Sequence, residues 1–231
     1  MLGYVMWHEG GRPRVLVERR IIGGAAFCVL EAWGRQRRLS RRVHRALREL
    51  EMQGIRRYVV DPSWPDVWRE GLAEVEEDGL RQALFPRLLD WLTQQGRLSL
   101  DGATVELSAH WADGAVWEAA RILCRRCRYL RLRVEGSGPL REELWRRYGV
   151  AAGGERPATL QVCFGEAAEG PPALLLGPGC GRRQKAVYAL PEAIAAGLED
   201  YPVTPQLAAA LWMCGAVKTE EIRLQSLDFP A

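Results

Sequence analysis

"ATVELSAHWADGAVWEAARILCRRCRYLRLRVE", residues 103–135, is the stretch that decides the fold class. Apolar and polar side chains alternate in Ala103–Ser108, as they do in a strand with one buried face. Apolar residues then recur at helical spacing through Gly114–Cys127, and the alternation returns at Tyr129–Glu135. A strand, a helix and a second strand in about thirty residues predict parallel neighbours joined by a right-handed crossover.

Toward the C-terminus the same pattern continues and then changes. Leu140–Tyr148 is predicted as a helix and Thr159–Phe164 as a third strand. "ALLLGPGCGRRQKAVYAL", residues 173–190, favours two strands around a flexible turn, which would add an antiparallel extension near residues 159–190. Thr204-Pro205 is a typical helix start, so Pro205–Cys214 is predicted as a helix.

Toward the N-terminus the chain mixes strand and helix patterns. "GYVMWHEGGRPRVLVERR", residues 3–20, favours a β-hairpin around the turn residues Gly10–Pro13. Residues 25–53 are predicted to be mainly helical, with Ser40 as an N-cap, and Ala25–Gly34 either belongs to that helix or forms a separate element. Arg57–Asp61 reads as a short buried strand.

The strands of the regular part each carry one polar face. Thr104, Glu106 and Ser108 share a face that would also carry Arg131 and Arg133. We expect Glu106 to pair across strands with Arg131 or Arg133. This polar face is then either exposed to solvent, part of an interface between lobes of the chain, or part of a subunit contact.

Residues 103–149 resemble the dinucleotide-binding half of a Rossmann-type dehydrogenase, of the shikimate-dehydrogenase kind. The resemblance lies in the strand "ATVELSA", the strand "YLRLRVEGSG" and the segment "PLREELWRRYGV". It implies NAD(P) binding, with Glu135 nearest to the residue that contacts the adenosine ribose. The glycine fingerprint G-x-G-x-x-G is absent, since "SAHWADGAVW" supplies only Gly114. The sequence therefore predicts no cofactor, and NAD(P) follows from the resemblance alone.

The fold class expected is α/β: a Rossmann-like, mainly parallel sheet with an antiparallel extension and an N-terminal β-hairpin. We expect a single domain over residues 1–231, within which 1–100 and 101–231 could form sub-lobes. Ligands of open α/β sheets bind beyond the carboxyl ends of the strands. That rule predicts one rim with the ligand-binding candidates Asp61, Ser63, His110, Gly114, Glu135 and Ser137, together with Asp113 and Glu166.

His110 and Asp113 are the candidate catalytic residues of this rim. His110 could act as a general base, with Asp113 as its orienting carboxylate. The alternative, which the sequence favours, is that Asp113 caps the following helix and His110 is an ordinary loop residue.

Cysteine usage argues for buried, reduced thiols. The six cysteines are scattered, and Cys124 and Cys127 form a single C-x-x-C pair where a four-cysteine zinc site needs two. We therefore expect no metal site.

The first twenty residues lack the apolar core of a signal peptide, and no apolar run is long enough for a bilayer. The expectation is a cytoplasmic protein with no membrane association.

The strongest charge feature is "RQRRLSRRVHRALRE", residues 35–49. It carries Arg35, Arg38, Arg41, Arg42, Arg45 and Arg48, which could contact nucleic-acid phosphates. Lys185 and Lys218 are the only lysines, so the arginine content reflects codon usage in part. No aromatic residue interleaves with the arginines. The sequence therefore favours the solvated face of an amphipathic helix over a nucleic-acid site.

The sequence leaves three functions open. The first is a degenerate Rossmann-like protein that binds a small anionic ligand or nucleotide at the strand-end rim. The second is an enzyme that uses His110 and the rim carboxylates. The third is an interaction module, with the arginine-rich helix on nucleic acid or the polar sheet face on a protein.

Overall fold

A computed structural model describes residues 1–100, 102–150, 153, 156–165 and 171–229. The strands are β1 (Leu2–His8), β2 (Arg14–Ile22), β3 (Ala25–Trp33), β4 (Tyr58–Val60), β5 (Thr104–Trp111), β6 (Tyr129–Glu135), β7 (Leu160–Cys163), β8 (Ala173–Leu175), β9 (Ala186–Ala189) and β10 (Arg223–Leu227). The helices are α1 (Gln36–Met52), α2 (Asp78–Ala83), α3 (Phe85–Gln94), α4 (Gly114–Cys124), α5 (Gly138–Tyr148), α6 (Cys180–Arg183), α7 (Glu192–Ala195) and α8 (Pro205–Met213). No helix in these ranges is long and apolar enough to cross a membrane.

The chain divides into two compact units, each built from two segments. The first unit comprises residues 1–76 and 188–223, and the second comprises residues 77–187 and 224–231. β9 and β10 form a two-stranded sheet, and the division between the units runs through both strands.

The first unit contains a four-stranded mixed sheet in the order β2-β3-β1-β4. β1 runs parallel to both β3 and β4, and β2 runs antiparallel to β3. The predicted hairpin of β1 with β2 is therefore wrong, although both strands exist. The hairpin is β2 with β3, joined by Gly23 and Gly24, whose φ angles of 54° and 86° suit a two-residue turn of type I′.

Of the two alternatives for Ala25–Gly34, the structure has the separate element. Residues 25–33 form β3, which is buried on both faces and so reads as a continuous apolar run. Such a run has no alternation that distinguishes a central strand from a buried helix. Ser40 lies inside α1, where its hydroxyl donates to the Gln36 carbonyl and accepts from Trp68 Nε1, so it is not an N-cap.

Helix α1 covers one face of this sheet with its apolar stripe. Leu39, Val43, Ala46 and Leu50 are buried from α1, and they join a core cluster that also contains Val5, Leu30, Val60, Trp64 and Trp68. Side chains alternate along a strand, so Tyr4, Met6 and His8 of β1 point to the opposite face. Glu31 and Trp33 of β3 share that face through their register with Met6 and His8.

The second unit contains a four-stranded sheet in the order β6-β5-β7-β8, and every pair in it is parallel. The predicted parallel sheet over residues 103–164 is confirmed. Glu106 faces Arg131 across β5 and β6, and the two side chains form an ion pair of 3.4 Å, as predicted. Glu106 is buried, which shows that its part of the polar face is covered rather than solvated.

The predicted antiparallel extension of this sheet is wrong. β8 joins β7 in parallel, and β9 pairs with β10 in the separate two-stranded sheet. The Gln184 side chain occupies the outer edge of β8: its Oε1 accepts from Leu175 N at 3.0 Å, and its Nε2 donates to the Ala173 carbonyl at 2.9 Å. These bonds use the edge groups that a further strand would need.

Candidate functional site

The predicted catalytic pair lies where β5 passes into α4, and Asp113 acts there as a helix cap. Its backbone is extended, and its Oδ1 accepts a hydrogen bond of 2.9 Å from Val116 N. Gly114 is the exposed first residue of α4. The carboxylate of Asp113 is thus engaged by the backbone of its own helix, as the capping alternative predicts.

His110 and Glu135 are predicted rim residues on neighbouring strands, β5 and β6, and their side chains contact each other. His110 Nδ1 lies 3.8 Å from Glu135 Oε1. The two side chains are 71% and 64% exposed, and the His110 ring packs edge-on against Trp111. Solvent screens a pair this exposed, so the contact does not create a desolvated catalytic environment.

The remaining predicted rim residues that the structure describes take part in local hydrogen bonds. Ser137 is buried, and its hydroxyl accepts from Arg141 Nε at 3.2 Å at the start of α5. Glu166 lies outside the described residues. Asp61 and Ser63 follow β4, which belongs to the sheet of the first unit. The rule behind the predicted rim applies to the strands of one sheet, whereas these candidates follow strands of two different sheets.

Hydrogen bonds of Asp61 and Ser63 hold the loop after β4 against β1. The buried carboxylate of Asp61 accepts from the Tyr4 hydroxyl at 3.0 Å and from Ser63 N at 2.8 Å. The Ser63 hydroxyl in turn accepts from Trp7 N at 3.2 Å. Burial and the neighbouring Asp61 carboxylate raise the pKa of Tyr4 well above its usual range.

The cysteines are free thiols. Burial raises the pKa of Cys124 to about 11 and that of Cys127 to about 12, which disfavours the thiolate that redox chemistry requires. Within the described ranges, no group of three or more His, Cys, Asp or Glu side chains is placed to hold a metal ion.

The arginine-rich stretch forms α1 and presents its arginines to solvent. Exposed side chains from this stretch include Arg35, Arg37, Arg38, Arg41, Arg42, Arg45 and Arg48. Among the ion pairs of the described residues, α1 contributes Arg45 with Glu49 at 2.9 Å. Arg42 and Arg48 donate to the carbonyl oxygens of Pro13 and His44. Most positive charge on this helix is therefore not neutralised by a carboxylate.

A groove of about 990 Å³ runs beside α1 within the first unit. Its lining includes the basic residues Arg41, His44, Arg45, Arg48 and Arg56, whereas its acidic residues are Glu51 and Glu70. We call this the basic groove. The sequence pointed to the arginines of α1, but not to Arg56 or to the wall at residues 70–73, because the wall meets α1 only through the tertiary fold.

Several arginines elsewhere in the chain are paired with acidic residues. Arg20, Arg81, Arg126 and Arg131 each form an ion pair with a carboxylate, as do Arg146 and Arg147 on α5. Codon usage raises the number of arginines but does not separate them from acidic residues. The scarcity of carboxylates on α1 is a property of this surface.

Comparison of this chain with protein-family models, with curated proteins and with solved structures gives no match. A function therefore has to be inferred from the residues of this chain.

Proposed function

We propose that the protein binds nucleic acid by its sugar-phosphate backbone, using the exposed face of α1 and the basic groove. The observation that carries the proposal is the lining of the groove, where four arginines and a histidine accompany two glutamates. Guanidinium groups match phosphate oxygens with paired hydrogen bonds, so these exposed arginines, of which Arg45 also pairs with Glu49, are suited to such a backbone.

The spacing of the arginines supports a linear polyanion as the partner. Arg41, Arg45 and Arg48 are three or four residues apart, which places them on one side of α1 at axial steps of about 5 to 6 Å. A row of charges at this spacing can contact successive phosphates of one strand. Arg56 adds a further charge on the groove wall.

The groove offers few means of reading bases. Tyr58 is its aromatic lining residue, and the Tyr58 side chain is buried, with its hydroxyl donating to the Ile55 carbonyl. Base stacking on exposed aromatic rings is therefore not supported. We expect binding that depends strongly on salt and weakly on sequence.

The other two functions considered from the sequence have less support. Small-ligand binding or catalysis at the rim would depend on His110 and Glu135, which are exposed, and on Asp113, which caps α4. The strand–helix–strand arrangement of the second unit supports a Rossmann-like description. However, β7 lies beside β5, whereas the third strand of the dinucleotide-binding half lies beside the second.

The test is fluorescence polarisation with labelled DNA and RNA of about 20 nucleotides, at about 50 to 200 mM salt. The triple variant Arg41→Gln, Arg45→Gln, Arg48→Gln should bind more weakly. Its slope of log K against log salt should be shallower by about one for each phosphate that the replaced arginines bind in the unchanged protein. The control is the triple variant Arg133→Gln, Arg146→Gln, Arg147→Gln, which removes the same charge from exposed positions of the second unit.

Two results would contradict the proposal. One is the absence of binding by the unchanged protein at low salt. The other is an equal loss of affinity in the test and control variants, which would mean that net charge alone drives binding. Anionic vesicles form a second arm, and vesicle binding that nucleic acid fails to compete would point to a membrane partner instead.

A further inference from the structure

Another cavity, of about 370 Å³, lies on the face of the first unit's sheet opposite α1. Its lining includes His8, Arg14, Glu31, Trp33, Asp200 and Tyr201. We call it the Glu31 cavity. Its volume falls in the range of small-ligand sites, and His8 and Trp33 end two parallel strands, where ligands of α/β sheets commonly bind.

The register of the sheet fixes the floor of this cavity. Leu16, Glu31 and Met6 face one another across β2, β3 and β1, which sets one carboxylate between two apolar side chains. Tyr201 packs edge-on against Tyr4 at 5.2 Å, further along β1. A ligand in the cavity would therefore rest on apolar surface beside the Glu31 carboxylate.

Glu31 is neutralised from within the protein. Arg20 donates to its two oxygens at 2.9 and 2.7 Å, and the Glu31 side chain is 8% exposed. Arg20 also donates to the Tyr201 hydroxyl at 3.1 Å and to Glu18. The bonds to Glu31 and Tyr201 raise the pKa of Arg20 above its usual range. Arg20 is therefore shared by two carboxylates, Glu31 and Glu18, and its bonds fix the position of the Glu31 side chain.

Trp33, two residues beyond Glu31 on β3, forms an aromatic side of the cavity. Arg14 and His8 face Trp33 from its two neighbouring strands. The His8 ring stacks on Trp33 at 5.0 Å with an interplanar angle of 15°, and the Arg14 guanidinium lies 3.9 Å from the indole centre. His8 Nε2 is buried 3.7 Å from Glu31 Oε1, and no hydrogen-bond partner is found for it in the described ranges.

Arg14 and Asp200 are the charged lining residues that remain without an ion pair in the described part of the chain. Arg14 contacts the Trp33 ring, and Asp200 is exposed beside Tyr201. The cavity thus presents one positive and one negative group, Arg14 and Asp200, beside a Glu31 carboxylate that already pairs with Arg20. A molecule that carries both charges satisfies both groups, whereas a simple anion or cation leaves one of them without a partner.

We propose that the Glu31 cavity binds a small zwitterion of amino-acid or dipeptide size. Its carboxylate lies toward Arg14 and its ammonium toward Asp200, and its apolar part rests on Met6, Leu16 and Trp33. Among the described residues, none lines both this site and the basic groove, so the site is a second, separate binding activity.

The test is isothermal titration calorimetry of the full chain with the free amino acids and a panel of dipeptides. We expect saturable binding by at least one of them. Acetylation of its amine or amidation of its carboxylate should each weaken binding by about tenfold or more, because each removes one charged group of the ligand. This comparison uses the unchanged protein and does not depend on the folding of a variant.

Substitutions then locate the site. Arg14→Gln and Asp200→Asn should each weaken binding by about tenfold. Arg12→Gln and Glu199→Gln make the same charge changes at exposed neighbours outside the lining and should leave binding unchanged. The proposal is overturned if no zwitterion binds up to about 10 mM. It is equally overturned if blocked and free ligands bind alike, or if the test variants behave like their controls. Nucleic-acid binding should be unaffected in all four variants.

Discussion

At the residue scale, Asp113 illustrates how one side chain can fit both a functional and a structural interpretation. Its position after β5 favours a catalytic or ligand-binding carboxylate, whereas its hydrogen bond to Val116 N is that of a helix cap. The backbone of Asp113 is extended, with φ −81° and ψ 179°, as a capping residue requires. This bond removes the carboxylate from the set of groups free to orient His110.

The cap predicts the effect of replacing Asp113. Asp113→Ala should lower the free energy of unfolding by about 1 kcal/mol, because Val116 N loses its acceptor. Asp113→Asn keeps a capping oxygen and should retain most of the stability. Urea denaturation followed by circular dichroism measures both. Equal losses of stability in the two variants would show that the charge, rather than the cap, stabilises α4.

At the element scale, Gln184 decides where the second unit's sheet ends. Its side-chain amide bonds to Leu175 N and to the Ala173 carbonyl at the outer edge of β8, as a neighbouring strand would do. Arg81, which is fully buried on α2, donates to Gln184 Oε1 at 3.2 Å and to its carbonyl, and it pairs with Glu77 at 3.0 Å. Burial raises the pKa of Glu77, and the adjacent guanidinium opposes that rise. These contacts join α2 to the sheet edge.

Replacement of Gln184 should therefore destabilise this edge. Gln184→Ala leaves Leu175 N without its acceptor in a buried position, and we expect a loss of about 2 kcal/mol in unfolding free energy. Gln184→Glu keeps the acceptor for Leu175 N and Arg81 and should lose less. Hydrogen exchange at the Leu175 amide gives a local readout. An unchanged exchange rate in Gln184→Ala would contradict the edge role.

At the scale of the whole molecule, buried thiols make the stability of the protein sensitive to alkaline pH. Burial raises the pKa values of Cys28, Cys124, Cys127, Cys163 and Cys180. In the unfolded chain these thiols ionise near pH ~8.5, whereas in the folded chain they hold their protons to higher pH. The unfolded state therefore loses protons first, and stability falls as the pH rises above about 9.

Cys127 offers the clearest test of this pH dependence, since its pKa is raised to about 12. When the pH rises from about 8 to about 10.5, the free energy of unfolding should fall in both proteins. The fall should be about 2 kcal/mol larger in the unchanged protein than in Cys127→Ala. Denaturation curves at both pH values measure the difference. Cys214→Ala, at an exposed position, is the control and should follow the unchanged protein. A Cys127→Ala variant with the full pH dependence would refute the assignment.

The sequence by itself determined the parallel arrangement of β5, β6 and β7, the pairing of Glu106 with an arginine of β6 and the arginine face of α1. Each of these depends on local periodicity, which reports the face that a residue occupies. Only the tertiary structure decided that β1 pairs with β3, that Asp61 and His110 follow strands of different sheets, and that Arg14, Glu31 and Asp200 line one cavity. Strand pairing and cavities arise between segments far apart in the chain, where periodicity within one segment carries no information about the partner.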